Sequence, residues 1–310
     1  MVRIHDLTLR DGLMAVRAIP TAVKLALVGE LAACGVSYFE VTRFPIDGQY
    51  EQFNDGIELL QRLQQVRHDG IRIDVFAFGE GGIEQALEKP DLFDCLHIAS
   101  FVSDSYARYA WNEWSWAMTL DQIGRTADRC RRHGIELTVG IGTCFGCPFE
   151  GPMSTEEVVE RIAEVHRCGV GEVMIGDTIG AAVPDDVRRL LKAIRSGSPG
   201  LRIRVHFHDA LGRALLNSFA AVEAGADDVD TSLLGFGGEP HPYFLDGAMT
   251  QNGNCATEEL IALVDSREDS RSRAFAAARL LAHHAAVLPP RRSSFAEIVP
   301  YNGSDRVAQH

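Results

Sequence analysis

Short runs rich in β-branched residues alternate with longer amphipathic stretches along almost the whole chain, and this alternation constrains the fold more than any other feature. A strand repeats its faces every two residues and a helix every 3.6, so the two kinds of run separate by period and length. Strands are predicted at 3–9, 38–42, 71–78, 96–102, 136–142, 172–177, 202–208 and 228–233. Helices are predicted at 21–33, 50–65, 82–88, 120–133, 154–168, 184–196 and 213–224. Ser154 stands before Glu156 and Glu157, and Pro184 before Asp185 and Asp186, as helix starts do when acidic side chains meet the positive end of the dipole. Glycines 35, 134, 169 and 225 stand where helices should end. Eight strands, each followed by helical sequence, predict a closed (β/α)₈ TIM barrel rather than an open doubly wound sheet. No change of composition occurs before Ser266. Residues 1–266 are therefore read as one catalytic barrel domain, and 267–310 as a C-terminal helix (267–288) and tail packed on or extending from it.

Charge narrows the partners. The formal net charge of −13 argues against binding a phosphate backbone, which needs clustered Lys and Arg. Runs such as Arg129-Cys130-Arg131-Arg132 and Pro290-Arg291-Arg292 are short and read as solvated faces. Seven scattered cysteines, an odd number, do not make a secreted disulfide framework. Arg3, His5, Asp6, Arg10 and Asp11 interrupt any apolar leader, and no apolar run approaches the roughly 20 residues of a membrane span. A soluble cytoplasmic protein without nucleic-acid or membrane partners is expected.

In such barrels chemistry sits at the C-terminal ends of the strands. The seventh predicted strand ends Val205-His206-Phe207-His208-Asp209, and residues at i and i+2 point to one face, so the two imidazoles project together. Taken alone, a His-x-His pair fits solvated or core histidines as well as a metal site. The first strand ends Thr8-Leu9-Arg10-Asp11-Gly12, placing a hard oxygen donor and a fixed positive charge at the same mouth of a closed barrel.

These residues carry a resemblance. The run Asp6-Leu7-Thr8-Leu9-Arg10-Asp11-Gly12 resembles the opening motif of the metal-dependent, pyruvate carboxyltransferase-like barrel superfamily. That superfamily contains 3-hydroxy-3-methylglutaryl-CoA (HMG-CoA) lyase, isopropylmalate and homocitrate synthases, and 4-hydroxy-2-oxovalerate aldolase. His206-Phe207-His208-Asp209-Ala210-Leu211-Gly212, Asn217-Ser218 and Ala224-Gly225-Ala226 extend the resemblance over nearly the whole chain. Cys144-Phe145-Gly146-Cys147-Pro148-Phe149-Glu150-Gly151, Gly176-Asp177-Thr178-Ile179-Gly180, Gly235-Phe236-Gly237-Gly238 and Gly253-Asn254 are similar to the HMG-CoA lyase branch.

The resemblance implies a divalent metal, Mg²⁺ or Mn²⁺ with Co²⁺ as a further candidate, held by Asp11, His206, His208 and Asn254. Zinc is disfavoured because no cysteine joins the histidines. Arg10 would stabilise an enolate oxygen, and Glu40 and Asp177 would tune metal-bound water or relay protons. The implied activity is carbon–carbon cleavage of a hydroxyacyl-CoA or related hydroxy acid, and the implied assembly a homodimer.

One position departs from that branch. The lyases carry a reactive cysteine after Gly-Gly in the loop following strand eight, and here Glu239 stands there, with His241 nearby. A thiol and a carboxylic acid differ by about four units in reference pKa, so the acid must be retuned or the loop repurposed for another substrate. The sequence also leaves open a condensing synthase, although the Arg and immediate Gly-Asn of the synthase string are absent, and a non-catalytic metal-binding barrel. Cys144 and Cys147 read as a shaped loop at the barrel mouth, and Gly79-Glu80-Gly81-Gly82 as a tight turn rather than an anion cradle.

Overall fold

In the computed structural model every strand pairs in parallel with its sequence neighbours, and Ile4 of the first against Val229 of the last closes the ring. Residues 3–48, 50–111, 115–238 and 253–285 are described. The strands are β1 (Arg3–Asp6), β2 (Tyr38–Phe44), β3 (Arg72–Ala77), β4 (Cys95–Phe101), β5 (Glu136–Gly142), β6 (Glu172–Asp177), β7 (Arg202–Phe207) and β8 (Asp228–Thr231). Around them lie α1 (Thr21–Ala33), α2 (Gly56–Val66), α3 (Gly79–Leu87), α4 (Asp104–Trp111), α5 (Trp116–His133), α6 (Thr155–Arg167), α7 (Pro184–Gly197) and α8 (Ala214–Glu223). Two more helices, α9 (Thr257–Val264) and α10 (Glu268–Ala285), follow the barrel, so the (β/α)₈ fold with a C-terminal helix is the one expected. None of the described helices is long and apolar enough to cross a membrane.

The outward faces of the strands are apolar. Ile73, Val75, Val139, Ile141, Val173, Ile203 and Val205 are at most 1% exposed and belong to one core with Leu59, Leu63, Val158, Ile162, Val187 and Leu191 of the helices. Each such side chain contributes about 1.5–3 kcal/mol on burial. Helix starts follow the sequence signals. Ser154 Oγ accepts from the Glu157 amide at 3.2 Å, and Ser115 caps α5 in the same way through Met118.

The inward faces are charged, which is unusual for a space filled by branched apolar side chains in most barrels of this type. Arg204 is wholly buried and forms ion pairs with Asp230 (2.9 Å), Glu40 (3.4 Å) and Asp74 (3.6 Å). His5 lies between Asp74 and Asp230, at 3.4 and 3.5 Å. Below this layer Arg72 holds Asp74, and Arg3 and Arg202 both hold Asp228.

Several boundaries differ from the sequence expectation, each for a local reason. β1 stops at Asp6 rather than residue 9, because the Thr8 amide and hydroxyl both donate to the Asp6 carboxylate at 3.0 Å and turn the chain. The start of the predicted 50–65 helix is a separate 3₁₀ turn, Glu51–Phe53, with Lys24 donating to the Gln52 carbonyl at 2.6 Å. The glycine run after β3 forms the first turn of α3 instead of a free-standing turn, and a Cβ on Gly82 would come within 2.7 Å of the Phe44 carbonyl oxygen. Helices α4 and α9 were not anticipated at all. α10 lies along α1, where Arg267 donates to the Cys34 carbonyl at 3.3 Å; residues 286–288 of its predicted span are outside the described residues.

Candidate metal centre and active site

The turn after β1 ends in Arg10 and Asp11, both 7% exposed, and delivers them to the C-terminal mouth of the barrel. β7 ends there with His206 and His208, whose rings lie 4.8 Å apart between centroids and nearly perpendicular. The ligand atoms of Asp11, His206 and His208 all fall within 4.8 Å of one another, the one such acid–histidine cluster among the described residues. Asn254 reaches the same place by a backbone route. Asp209 N donates to Gly253 O at 3.0 Å, pairing His208 with Asn254 in a short antiparallel bridge.

Hydrogen bonds fix which atom each ligand presents. His208 Nδ1 lies 2.8 Å from the Thr178 carbonyl oxygen, so it carries the proton and leaves Nε2 as the lone-pair donor. His206 Nδ1 faces Asp230 Oδ2 at 3.3 Å in the same manner. Burial pushes the His206 pKa down to about 4, against the pull of Asp11, so its imidazole is neutral at pH 7 and fit to ligate. The Asn254 amide donates to Asp11 Oδ2 at 2.5 Å and to the Phe236 carbonyl at 2.8 Å. Both its hydrogens are thereby used, and its Oδ1 is a buried acceptor with no partner among the described residues. Burial would raise the Asp11 pKa, but Arg10, the two histidines and Asn254 together hold it at about 2. Gly237 has φ +102°, and a Cβ there would come within 2.6 Å of the Asn254 amide nitrogen and 2.8 Å of the Asp11 carbonyl.

One carboxylate, two imidazoles and an amide oxygen unpartnered among the described residues make a hard, mixed oxygen and nitrogen donor set. It fits a divalent cation of the Mg²⁺, Mn²⁺ or Co²⁺ kind. The four predicted ligands are thus brought together.

The predicted acids are placed differently. Glu40 is wholly buried one layer beneath the mouth, where it accepts from Arg10 Nε and lies 2.6 Å from His97 Nδ1 and 3.4 Å from Arg204. Burial opposes its ionisation, yet those three neighbours keep its pKa well below the ordinary carboxylate value. Arg10 is clamped on Nε by Glu40 and on Nη1 by Asp11 at 2.7 Å, while its Cζ lies 4.7 Å over the Phe76 ring. Its Nη2 has no hydrogen-bond partner among the described residues. Asp177 follows Gly176, which lines the mouth, and so points to the opposite face of β6. Its oxygens accept from the Ala181 and Ala182 amides at 2.9 and 3.0 Å, and burial, opposed by those amides, raises its pKa to about 7. This geometry gives Asp177 a part in shaping the loop that carries Thr178, and no direct access to a substrate. Glu239 and His241 lie outside the described residues.

Cys144 and Cys147 are both free and buried. Cys147 pairs with Gly151 through two backbone bonds of 2.8 Å, and its thiol donates to Ser103 Oγ at 2.9 Å, so the segment is a shaped loop rather than a redox pair.

A cavity of about 480 Å³ opens beside the cluster, lined by Arg10, Asp11, His206, His208 and Gly238. Its lining also includes Phe76, Phe78, Phe101 and Tyr109, together with Arg43 and Tyr50. Arg43 was missed because strict alternation from Glu40 turns it outward. A bulge between Glu40 and Thr42 resets the count and pairs Arg43 with the inward-facing Phe76. The interior Arg204 and Asp230 had a legible signal, since Arg202, Arg204 and His206 in β7 and Asp228 and Asp230 in β8 alternate strictly with Ile and Val.

Comparisons with known proteins agree with this geometry. Over 269 residues, 86% of each protein, the chain is 30% identical to the 3-hydroxy-3-isohexenylglutaryl-CoA/hydroxy-methylglutaryl-CoA lyase of Pseudomonas aeruginosa. It is 28% identical over 268 residues, again 86% of each, to the hydroxymethylglutaryl-CoA lyase YngG of Bacillus subtilis. The crystal structure of hydroxymethylglutaryl-CoA lyase from P. aeruginosa superposes with a TM-score of 0.82 at 27% identity, covering 94% of this chain and 95% of that one. The HMGL-like family model matches residues 1–285. With barrel, strand-end motifs and relatives in accord, the chain belongs to the HMGL-like family.

Proposed function

We propose that the chain is a divalent-metal-dependent carbon–carbon lyase acting on a hydroxyacyl-CoA or a related hydroxy acid, with Mg²⁺ or Mn²⁺ as the cation and Co²⁺ as a substitute. The observation that carries this reading is the convergence of Arg10, Asp11, His206 and His208 on one cavity, with Asn254 Oδ1, unpartnered among the described residues, beside them. The lyases of B. subtilis and P. aeruginosa to which the chain is similar support it.

A cation held by these four residues would supply Lewis-acid polarisation of a substrate's hydroxyl and carbonyl oxygens. The side chains supply the rest. As the hydroxyl proton passes to solvent, which reprotonates the loop acid after each turnover, the carbon–oxygen bond becomes the carbonyl of one product. The electron pair of the broken carbon–carbon bond stays on the other product as an enolate. Arg10, clamped by Glu40 and Asp11, offers its free amino group to that enolate oxygen, pre-oriented where charge develops. Glu40 is thus a positioning residue. Glu239 or His241, in the loop after β8, is the proposed donor of the proton that the enolate carbon takes. A homodimer is proposed alongside, to be checked by light scattering.

The test is a cleavage assay on HMG-CoA and longer-chain 3-hydroxyacyl-CoA thioesters after chelation and re-addition of Mg²⁺, Mn²⁺ or Co²⁺. Cleavage that needs the cation and disappears in Asp11→Ala is expected. Full activity of Asp11→Ala in chelator, or no turnover of any thioester or hydroxy acid with any of the three cations, overturns the proposal.

A further inference from the structure

Four cationic side chains are less than one-tenth exposed among the described residues: Arg10, Lys24, Arg43 and Arg204. Three of them are neutralised inside the protein. Arg10 pairs with Asp11 and Glu40, Lys24 with Asp55 at 2.5 Å, and Arg204 with Asp230, Glu40 and Asp74. Arg43 is the exception. No described carboxylate comes within ion-pair distance, and its Nε is buried without a hydrogen-bond partner. Its guanidinium lies over the Tyr50 ring at 4.4 Å and 5.8 Å from the Phe78 ring, on the wall of the active-site cavity.

A buried charge without a counter-charge costs stability, and stacking on an aromatic face recovers about 0.5–2 kcal/mol of it. Burial pushes the Arg43 pKa down. The Tyr50 phenol and the more distant Asp47 favour the cation, and the nearby Arg10 repels it. A guanidinium stays protonated even so, because its reference pKa is above 12. Such an arrangement persists where the counter-charge arrives from outside.

We infer that Arg43 is the specificity-determining residue that binds a free carboxylate on the acyl part of the substrate, within the cavity that Arg10 and the metal ligands also line. The inference rests on the proposed lyase reading for what occupies the rest of the cavity, and on Arg43 itself for the anion. A carboxylate is favoured over a coenzyme phosphate because Arg43 is 7% exposed and shares its wall with Phe76 and Phe78, inside the mouth rather than on the outer surface. The planar fork of a guanidinium matches the two oxygens of a carboxylate.

The experiment is calorimetric titration of the full chain, with Mn²⁺ present, using 3-hydroxyglutarate, its monoamide 3-hydroxyglutaramate, and free CoA. Cation uptake is measured separately by metal analysis. The wild type should prefer the dicarboxylate over the monoamide by about tenfold or more, the scale of charge-assisted hydrogen bonds. Arg43→Met and Arg43→Gln should lose that preference, Arg43→Lys should keep part of it, and CoA affinity should stay constant throughout. Because no described carboxylate pairs with Arg43, Arg43→Met should melt no lower than the wild type. A wild type without preference, or an Arg43→Met that keeps it, overturns the inference. So does a parallel loss of CoA affinity, which would mark a phosphate site, or a large fall in melting temperature, which would mark a structural role. Cation uptake with an unchanged preference in Arg43→Met sinks this inference alone. An Arg43-dependent preference in a wild type that binds no cation sinks the lyase reading alone.

Discussion

The side-chain amide of Asn254 donates to the Asp11 carboxylate over 2.5 Å, joining the loop after β8 to the turn after β1 at the barrel mouth. The same bond leaves Asn254 Oδ1 as an acceptor with no donor among the described residues. Asn254→Ala removes both the bond and the oxygen. Metal affinity should fall at least tenfold, read by competition against a fluorescent chelator. His208→Ala should abolish stoichiometric binding in the same assay. Unchanged affinity in either variant would remove that residue from the ligand set.

Arg204 is the common partner of Glu40, Asp74 and Asp230, and none of the four is solvent-accessible beyond 2%. Arg204→Met should therefore destabilise the protein by about 3–5 kcal/mol, because it strands buried carboxylates rather than merely deleting a contact. Arg204→Lys should recover only part, since an ammonium cannot span three acids as the planar fork does. Urea unfolding measures both. A loss below about 1 kcal/mol for Arg204→Met would show that the acids are protonated and need no cation.

Burial raises the pKa of Asp6 to about 6, against three hydrogen bonds from Thr8 and Thr257 that pull the other way. An acid whose folded pKa lies above its unfolded value binds its proton more tightly in the native state. Its contribution to stability is present in full below the unfolded pKa of about 3.9 and is lost as pH rises through about 6. The stability of the wild type relative to Asp6→Asn should accordingly decline between about pH 4 and 6 and then level off, as read from urea midpoints across that range. A difference that grows with pH would reverse the assignment.

Burial raises the thiol pKa of Cys144 and Cys147, and their exposures are 3% and 0%. In native protein iodoacetamide should label the half-buried Cys168 well before either of them, and mild oxidation should produce no Cys144–Cys147 disulfide. Peptide mass mapping over a labelling time course reads both outcomes.

Much of this architecture was legible in the residues, and what was not has identifiable causes. The strand and helix alternation located all eight strands because each carries a β-branched outer face. Of the four candidate metal ligands, Asp11, His206 and His208 stood in strand-end motifs, where sequence position and spatial position coincide, and Asn254 came from the family resemblance alone. Arg43 escaped because one extra residue in β2 inverts the period, an event that leaves no mark in hydrophobic patterning. Glu40 and Asp177 were identified as strand-end acids, yet their depth and direction depend on the neighbours Arg204, His97, Ala181 and Ala182, which no local window contains. Helix α4 was overlooked because its buried aromatic Tyr106 answers to Phe101 at the end of β4 rather than to a helical stripe.

The charged interior also acts as a register key. If β7 slipped by a single residue, Ile203 and Val205 would turn inward to face Asp230, Asp74 and Glu40, while Arg202 and Arg204 would enter the oily layer beneath the helices. An all-apolar barrel tolerates such a slip with imperfect fit. Here it exposes several unmatched ions to low dielectric at once, at several kcal/mol each. The charges that seldom serve stability by their attraction alone thus discriminate among alignments, and they hold the ends of β1, β7 and β8 at the heights where Asp11, His206 and Asn254 can meet.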